Sequence, residues 1–337
     1  MGIAFIQANT QAKTRNDLSA EVYERSQKFL VDEQLIKISD EDVAKPWRAS
    51  DIKTECPRAV YYSRHEPEKS NGRQSAAALF GTATHTMFER DPLADEEVWT
   101  DIWDEILEAE RLSKTSDKID WKSSAKPFSL SAFHSEQSPD KKISALYLRY
   151  KEMDLVNYTL FWENYPLEVY INENGLSTIE AVLKTTLGTH SIRTTADVIA
   201  YDTEKRDILP VDWKTGRASE ASQLATYAMA AERFYDLPDG AITRGMFVLT
   251  GAGVCVAKRG QLPHAYEPDP SESVVEVTNI IDWRPIVLER LDKLEKRDRT
   301  GLWNPKLNSL CYRVCEYKEE CPVGRALSEV RNGDESI

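Results

Sequence analysis

Ala196-Asp197-Val198-Ile199-Ala200-Tyr201-Asp202 and, after a short polar break, Ile208-Leu209-Pro210-Val211-Asp212-Trp213-Lys214-Thr215-Gly216 decide how this chain folds. Both runs have the composition of β-strands, and the break between them has the length of a hairpin turn. Side chains on a strand repeat every two residues, so Asp212 and Lys214 share one face and Trp213 takes the other. Asp197, on the neighbouring strand, is placed to meet Asp212 across the pair. Two carboxylates and a lysine on one wall suit a hard divalent cation and a phosphate, the requirements of phosphodiester hydrolysis. Two solvated hairpin charges would produce the same tripeptide, so the selection falls to the rest of the chain.

Outward from the pair, further motifs stand in order. Upstream are Cys56-Pro57-Arg58, followed by Tyr61 and Tyr62, and Gly81-Thr82-Ala83-Thr84-His85 with Glu89 behind it. Gly81, His85 and Glu89 fall at i, i+4 and i+8 of an Ala-rich helical stretch over 74–90, along one side. Downstream, Gln223-Leu224-Ala225-Thr226-Tyr227 places Gln223 and Tyr227 four apart on a helix expected over 218–236, a spacing that ordinary amphipathic packing also produces. At the end come Cys311, Cys315 and Cys321, the last two within Cys315-Glu316-Tyr317 and Cys321-Pro322. Cysteines in fours hold iron–sulfur clusters or zinc. Cys255, between Val254 and Val256, reads as a core residue.

This ordered set, spanning roughly residues 50 to 322, resembles the RecB-type exonuclease branch of the PD-(D/E)xK nuclease superfamily, which includes the AddB nuclease and the iron–sulfur CRISPR-adaptation nucleases. The resemblance implies Asp197, Asp212 and His85 as side-chain ligands of Mg²⁺ or Mn²⁺, with the backbone carbonyl of Val211 as a further ligand. An imidazole in the set favours Mn²⁺ more than an all-oxygen site does. Lys214 would orient the attacking water or neutralise charge on the transition state, and Gln223 and Tyr227 would contact DNA or hold Lys214. Glu168, on the preceding strand, is a weaker acidic candidate that a solvated strand charge explains equally well. Cys56 with Cys311, Cys315 and Cys321 would bind a [4Fe–4S] cluster tying the two ends of the chain together, zinc being the alternative metal.

Three departures accompany the resemblance. Asp212 stands where Glu is commoner, which keeps the charge and shortens the reach. Thr194-Thr195-Ala196 fills a slot that usually holds glycine just before Asp197, and the last cysteines begin C-x₃-C where C-x₂-C is usual.

At 337 residues with 41% hydrophobic and 29% charged side chains, the chain is ordinary globular in composition and long enough to bury a large core. No apolar run reaches the ~20 residues of a membrane span, and the N-terminus lacks the apolar core of a signal peptide. A cytoplasmic location without membrane contact is expected, where clustered cysteines favour metal over disulfide. A net charge of −13 runs against a nucleic-acid partner, although 45–73 is locally basic with seven Lys/Arg against four Asp/Glu.

Periodicity predicts helices over 17–38, from an N-cap at Ser50 through Cys56, and over 74–90, 95–111, 143–164 and 274–297, with a Ser- and Lys-rich loop at 112–142. Strands are expected at 166–172, 176–186, 190–202 and 206–214, with two or three more between 243 and 267. The fold class is therefore α/β, a mixed central sheet flanked by helices, which the resemblance implies is a restriction-endonuclease-like core. Three segments are expected: a helical extension over 1–48, the nuclease region over 49–327, and an acidic tail over 328–337. No P-loop is present, hence no helicase motor in this chain.

The expected activity is a metal-dependent DNA exonuclease acting on single-stranded DNA or free ends in recombination, repair or end processing. The alternative is a non-catalytic iron–sulfur DNA-binding subunit of a larger recombination complex. A helicase or recombinase partner, or a homo-oligomer, is compatible with either.

Overall fold

The structure is a computed structural model that describes residues 38–39, 43–54, 56–69, 84–89, 156–171, 178–214, 218–250, 254–255, 264–265, 273–306, 315–317 and 319–334, with Glu24 before them. The expected helix over 17–38 apart from Glu24 and Ile38, the expected helix over 95–111, the loop at 112–142, Gly81 and Cys311 lie outside the described residues. The chain divides into two compact units: 1–37, 55–71 and 301–337 form one, and 38–54 with 72–300 the other.

The larger unit is built on a six-stranded mixed sheet. Its strands are β1 (Leu167–Val169), β2 (Ile179–Leu187), β3 (His190–Asp202), β4 (Asp207–Lys214), β5 (Gly245–Leu249) and β8 (Val274–Val277), in the order β1-β3-β4-β5-β8 with β2 also on β3. A two-stranded ribbon, β6 (Val254–Cys255) with β7 (His264–Ala265), stands apart from it.

β3 is the organising strand. At 13 residues it pairs with β2 through its first two-thirds, with β1 at its end, and with β4 on its other edge. Its burial follows, alternating buried and exposed until Ala196 and then buried nearly throughout where both edges are paired. Gly188, at φ +60, makes the two-residue turn into β3, a conformation that glycine takes without steric cost. Asp202 closes the next turn by accepting the backbone N–H groups of Glu204 and Lys205.

β4 and β5 run parallel, joined through helix α5 (Ser222–Phe234). Pro210 has no N–H to give the ladder, and Gly245 makes room beside it: a Cβ at Gly245 would lie 3.0 Å from the Pro210 carbonyl.

The two faces of the sheet differ. α5 packs against β2, β3 and β4, and residues Ser222 to Glu232 are all buried between the sheet and helices α1 (Ala49–Lys53) and α6 (Ile280–Thr300). Trp213 is instead buried in an aromatic cluster with Phe88, from helical residues 84–89 (α3), and Tyr158, Phe161 and Trp162, from 156–164 (α4). This is the face opposite Asp212, as the strand period requires.

Three expectations change. The helix expected from 274 begins as strand β8, because Val274, Val275 and Val277 are β-branched and pair with β5, and α6 starts only at Ile280. Ser50 is not an N-cap: α1 starts at Ala49, and the Arg48 backbone N–H is bonded instead by Asp51 at 3.0 Å. Nor does one helix run through Cys56. Pro57 disfavours the helical conformation for the residue before it, so Cys56 is extended and caps a separate helix, α2 (Pro57–His65).

In the smaller unit, α2 packs its tyrosines on the closing segment. Tyr61 meets Trp303, Tyr62 stacks on Tyr317, and the Tyr62 hydroxyl donates to the Glu320 carbonyl at 3.1 Å. Helix α7 (Pro322–Asp334) follows and runs without a break across residue 327, where the tail was expected to begin.

Candidate active site

The β3–β4 register, from Asp202 opposite Asp207 to Val198 opposite Val211, carries on to set Asp197 opposite Asp212. Both carboxylates are buried, Asp212 completely. Asp197 Oδ2 accepts the backbone N–H of Trp213 at 2.8 Å, which locks its side chain to β4. Lys214 Nζ lies against Asp212 Oδ2, two residues along the same face. Oδ1 of Asp212 accepts from Gln223 Nε2 at 2.9 Å, and the same nitrogen donates to the Tyr227 hydroxyl at 2.7 Å. The i, i+4 pair on α5 therefore meets the sheet at the D-x-K strand, and Gln223 holds Asp212 rather than Lys214.

His85 arrives from α3. Its Nδ1 stands 3.6 Å from Asp197 Oδ1 and 3.5 Å from Glu180 Oε1. Ligand atoms of His85, Glu180 and Asp197 lie within 4.8 Å of one another, a donor set of one nitrogen and two carboxylate oxygens fit for a divalent cation. Glu89, one turn further on, is exposed.

Glu180 was not anticipated. It falls opposite Asp197 in the β2–β3 register, between the pairs Ile179↔Val198 and Ala181↔Ala196, and holds φ +47, rare for a side chain with a Cβ. The acid singled out from sequence, Glu168, pairs with Tyr201 on β1 and is exposed, because β1 reaches only the last residues of β3. Ala196, in the slot expected to favour glycine, is a fully buried ladder residue paired with Ala181.

Lys53 is the second residue missed. From the end of α1 it donates to Gln223 Oε1 at 2.9 Å. Nothing in the sequence signals it, since it precedes Asp197 by more than a hundred residues in a segment of mixed charge.

The electrostatics are those of crowded acid with too little base. Burial, then the neighbouring Asp197 charge, pushes the Asp212 carboxyl up to about 6 despite Lys214. Asp197 is raised as well, chiefly by burial, with His85 and Lys214 opposing. Burial alone would lower the His85 pKa, but the hydrogen bond to Glu180 and the charges of Asp197 and Glu180 outweigh it and lift it to about 9. Burial and then Lys214 lower Lys53. A bound cation would relieve this repulsion among the acids.

Cys56, Cys315 and Cys321 gather in the smaller unit. Cys56 and Cys321 stand at the N-termini of α2 and α7, each followed by proline, and Cys56 Sγ accepts the Lys306 backbone N–H at 3.4 Å. Cys321 is pushed up to about 11, first by burial and also by the nearby Cys56 and Cys315, while the Gly324 and Val323 N–H groups oppose. A cation would reverse that mutual repulsion, and helix N-termini stabilise thiolates. Cys255 lies on β6, in the larger unit.

The family model described as the PD-(D/E)XK nuclease superfamily matches residues 51–322. No curated protein matches the chain in sequence.

Proposed function

The chain belongs to the PD-(D/E)XK nuclease superfamily of metal-dependent nucleases, and from that premise we propose that it is a DNA exonuclease of the RecB type, acting on single-stranded DNA or free ends in recombination, repair or end processing. The observation that carries this reading is the convergence of His85, Asp197, Asp212 and Lys214 on one sheet face, with Gln223 and Tyr227 of α5 laid over it. These residues are separated by up to 142 positions in sequence, and all of them fall where the motif order requires.

His85, Asp197 and Asp212, joined by Glu180, would hold Mg²⁺ or Mn²⁺. Such a cation supplies positive charge to the phosphoryl oxygens and lowers the pKa of water. Val211 was the expected backbone ligand, but strand direction favours the Trp213 carbonyl. Ile199 directs its N–H and C=O to Thr178 and Tyr170, so Val198 faces β4 and engages Val211 in the ladder. The Trp213 N–H already points at Asp197, and its carbonyl shares that direction. Lys214 orients the nucleophile or balances charge on the transition state, and its contact with Asp212 keeps the ammonium beside the carboxylates.

Cys56, Cys311, Cys315 and Cys321 would bind a [4Fe–4S] cluster with an architectural role. The reading is supported by the gathering of Cys56, Cys315 and Cys321 in one unit and by the capping of two helices by Cys-Pro pairs. Anaerobically purified protein should be brown, with broad absorbance near ~400 nm from the iron–thiolate bonds. Digestion of end-labelled DNA with Mg²⁺ or Mn²⁺ tests the activity: products shortening from an end support an exonuclease, and internal cuts in circular DNA oppose it.

A further inference from the structure

Gln223 is gripped at both ends of its side-chain amide. Lys53 Nζ donates to Oε1 at 2.9 Å, while Nε2 spends its two hydrogens on Asp212 Oδ1 at 2.9 Å and the Tyr227 hydroxyl at 2.7 Å. An ammonium is a donor only, so the carbonyl end of the amide must face Lys53 and the nitrogen must face the carboxylate. We propose that Lys53 is a positioning residue of the nuclease site: it fixes the Gln223 amide, and through it the orientation of the Asp212 carboxylate and the Tyr227 hydroxyl. The inference rests on the metal-dependent nuclease reading and adds to the site a residue from outside the sheet and α5.

The geometry gives the arrangement a use. Asp212 alone can attract the Gln223 nitrogen, but a cation on Asp212 would weaken that attraction at the moment the carboxylate must stay aligned. Lys53 supplies an anchor on the opposite end of the amide that is independent of Asp212. Because the Tyr227 oxygen accepts from Gln223, the hydroxyl hydrogen points elsewhere, and among the described residues it has no acceptor. On the nuclease reading, a phosphodiester oxygen would receive it. Tyr227 is almost fully buried and its pKa is driven well above the ordinary value, first by burial and then by Asp212 and Asp197, so it enters any such contact as a donor.

The competing account makes Lys53 a counter-charge for Asp197 and Asp212. The two accounts differ in sign. Removing a counter-charge beside a cation site tightens cation binding, whereas removing an anchor loosens it. Mn²⁺ titration calorimetry on DNA-free protein, together with kcat and KM on an oligonucleotide, separates them for Lys53→Met, Gln223→Leu and the double variant. Methionine keeps an unbranched apolar stem in place of the half-buried lysine.

Each single variant is expected to weaken Mn²⁺ binding and lower kcat roughly tenfold, the size of one lost hydrogen bond to a charged group. The double variant should lose no more than either single, because both break one linkage. Lys53→Arg, which keeps a donor, should recover most of the loss. Tighter Mn²⁺ binding by Lys53→Met, or losses that multiply in the double variant, would overturn the inference and leave the nuclease reading standing. A wild-type protein that binds neither Mn²⁺ nor Mg²⁺ would overturn both.

Discussion

Asp212 is bonded on both oxygens to different partners, Oδ1 to Gln223 and Oδ2 facing Lys214, with Asp197 across the strand pair. Gln223 and Lys214 hold the carboxylate in place, while burial and then the Asp197 charge push its pKa up to about 6. Asp212→Asn, Asp197→Ala and Lys214→Ala should each lower kcat by on the order of 10²–10³ while the far-ultraviolet circular dichroism stays that of the wild type. Wild-type turnover in any of the three would remove that residue from the site. His85→Ala deletes the single nitrogen donor of the set and should impair Mn²⁺-supported cleavage more than Mg²⁺-supported cleavage. An unchanged ratio of the two would place His85 outside the cation's reach. The pair, the lysine and the histidine were legible from sequence because a period of two and a motif order suffice to find them. Glu180 and Lys53 were not, since register and helix placement bring them in, and neither leaves a local pattern.

At the scale of elements, β3 and β4 are fixed at both ends, by Trp213 at one and by the Asp202 turn at the other. Trp213 fills the space between the sheet and helices α3 and α4, so Trp213→Ala should cost about 3–5 kcal/mol, read as a fall in the chemical-denaturation midpoint. A change below ~1 kcal/mol would mean that the cluster contributes little to stability.

At the turn, burial alone would raise the Asp202 carboxyl. The Lys205 N–H, the Arg244 guanidinium and the Glu204 N–H outweigh burial and hold it below the ordinary carboxylate range. A depressed folded pKa gives stability that is complete above the unfolded value of about 3.9 and is lost as pH falls through the folded one. Asp202→Asn should therefore lower the melting temperature at neutral pH and flatten its decline below about pH 4. Parallel acid-denaturation curves for variant and wild type would contradict that role. The strands β1 to β4 were legible because hydrophobic runs and turn residues bound them. β8 was not, because four residues of Val-Val-Glu-Val directly precede a long amphipathic helix and share its apolar period.

The whole molecule divides its chemistry between its two units, the acidic site on the sheet in one and the thiols in the other. Its net charge of −13 places the burden of binding an anionic polymer on the cation and a few local bases. Among the described residues no helix is long and apolar enough to cross a membrane. Serine in place of Cys56, Cys315 or Cys321 should bleach the brown colour and lower the melting temperature, because the free energy of metal binding in such sites is also folding free energy. Cys255→Ser should leave the colour unchanged. A Cys315→Ser protein that kept its iron and its melting temperature would remove the cluster from the account and leave the nuclease site as it stands.

The central claim, that one sheet face of this chain hydrolyses DNA with a divalent cation, is tested most directly by cleavage itself. End-labelled single- and double-stranded DNA would be incubated with wild-type protein and with Asp212→Asn, in Mg²⁺, in Mn²⁺ and in excess chelator. The account predicts products shortened from an end by the wild type in at least one cation, none in chelator, and cleavage slower by on the order of 10²–10³ from the variant. No cleavage by folded, cation-binding wild type, or equal cleavage by both proteins, would contradict it.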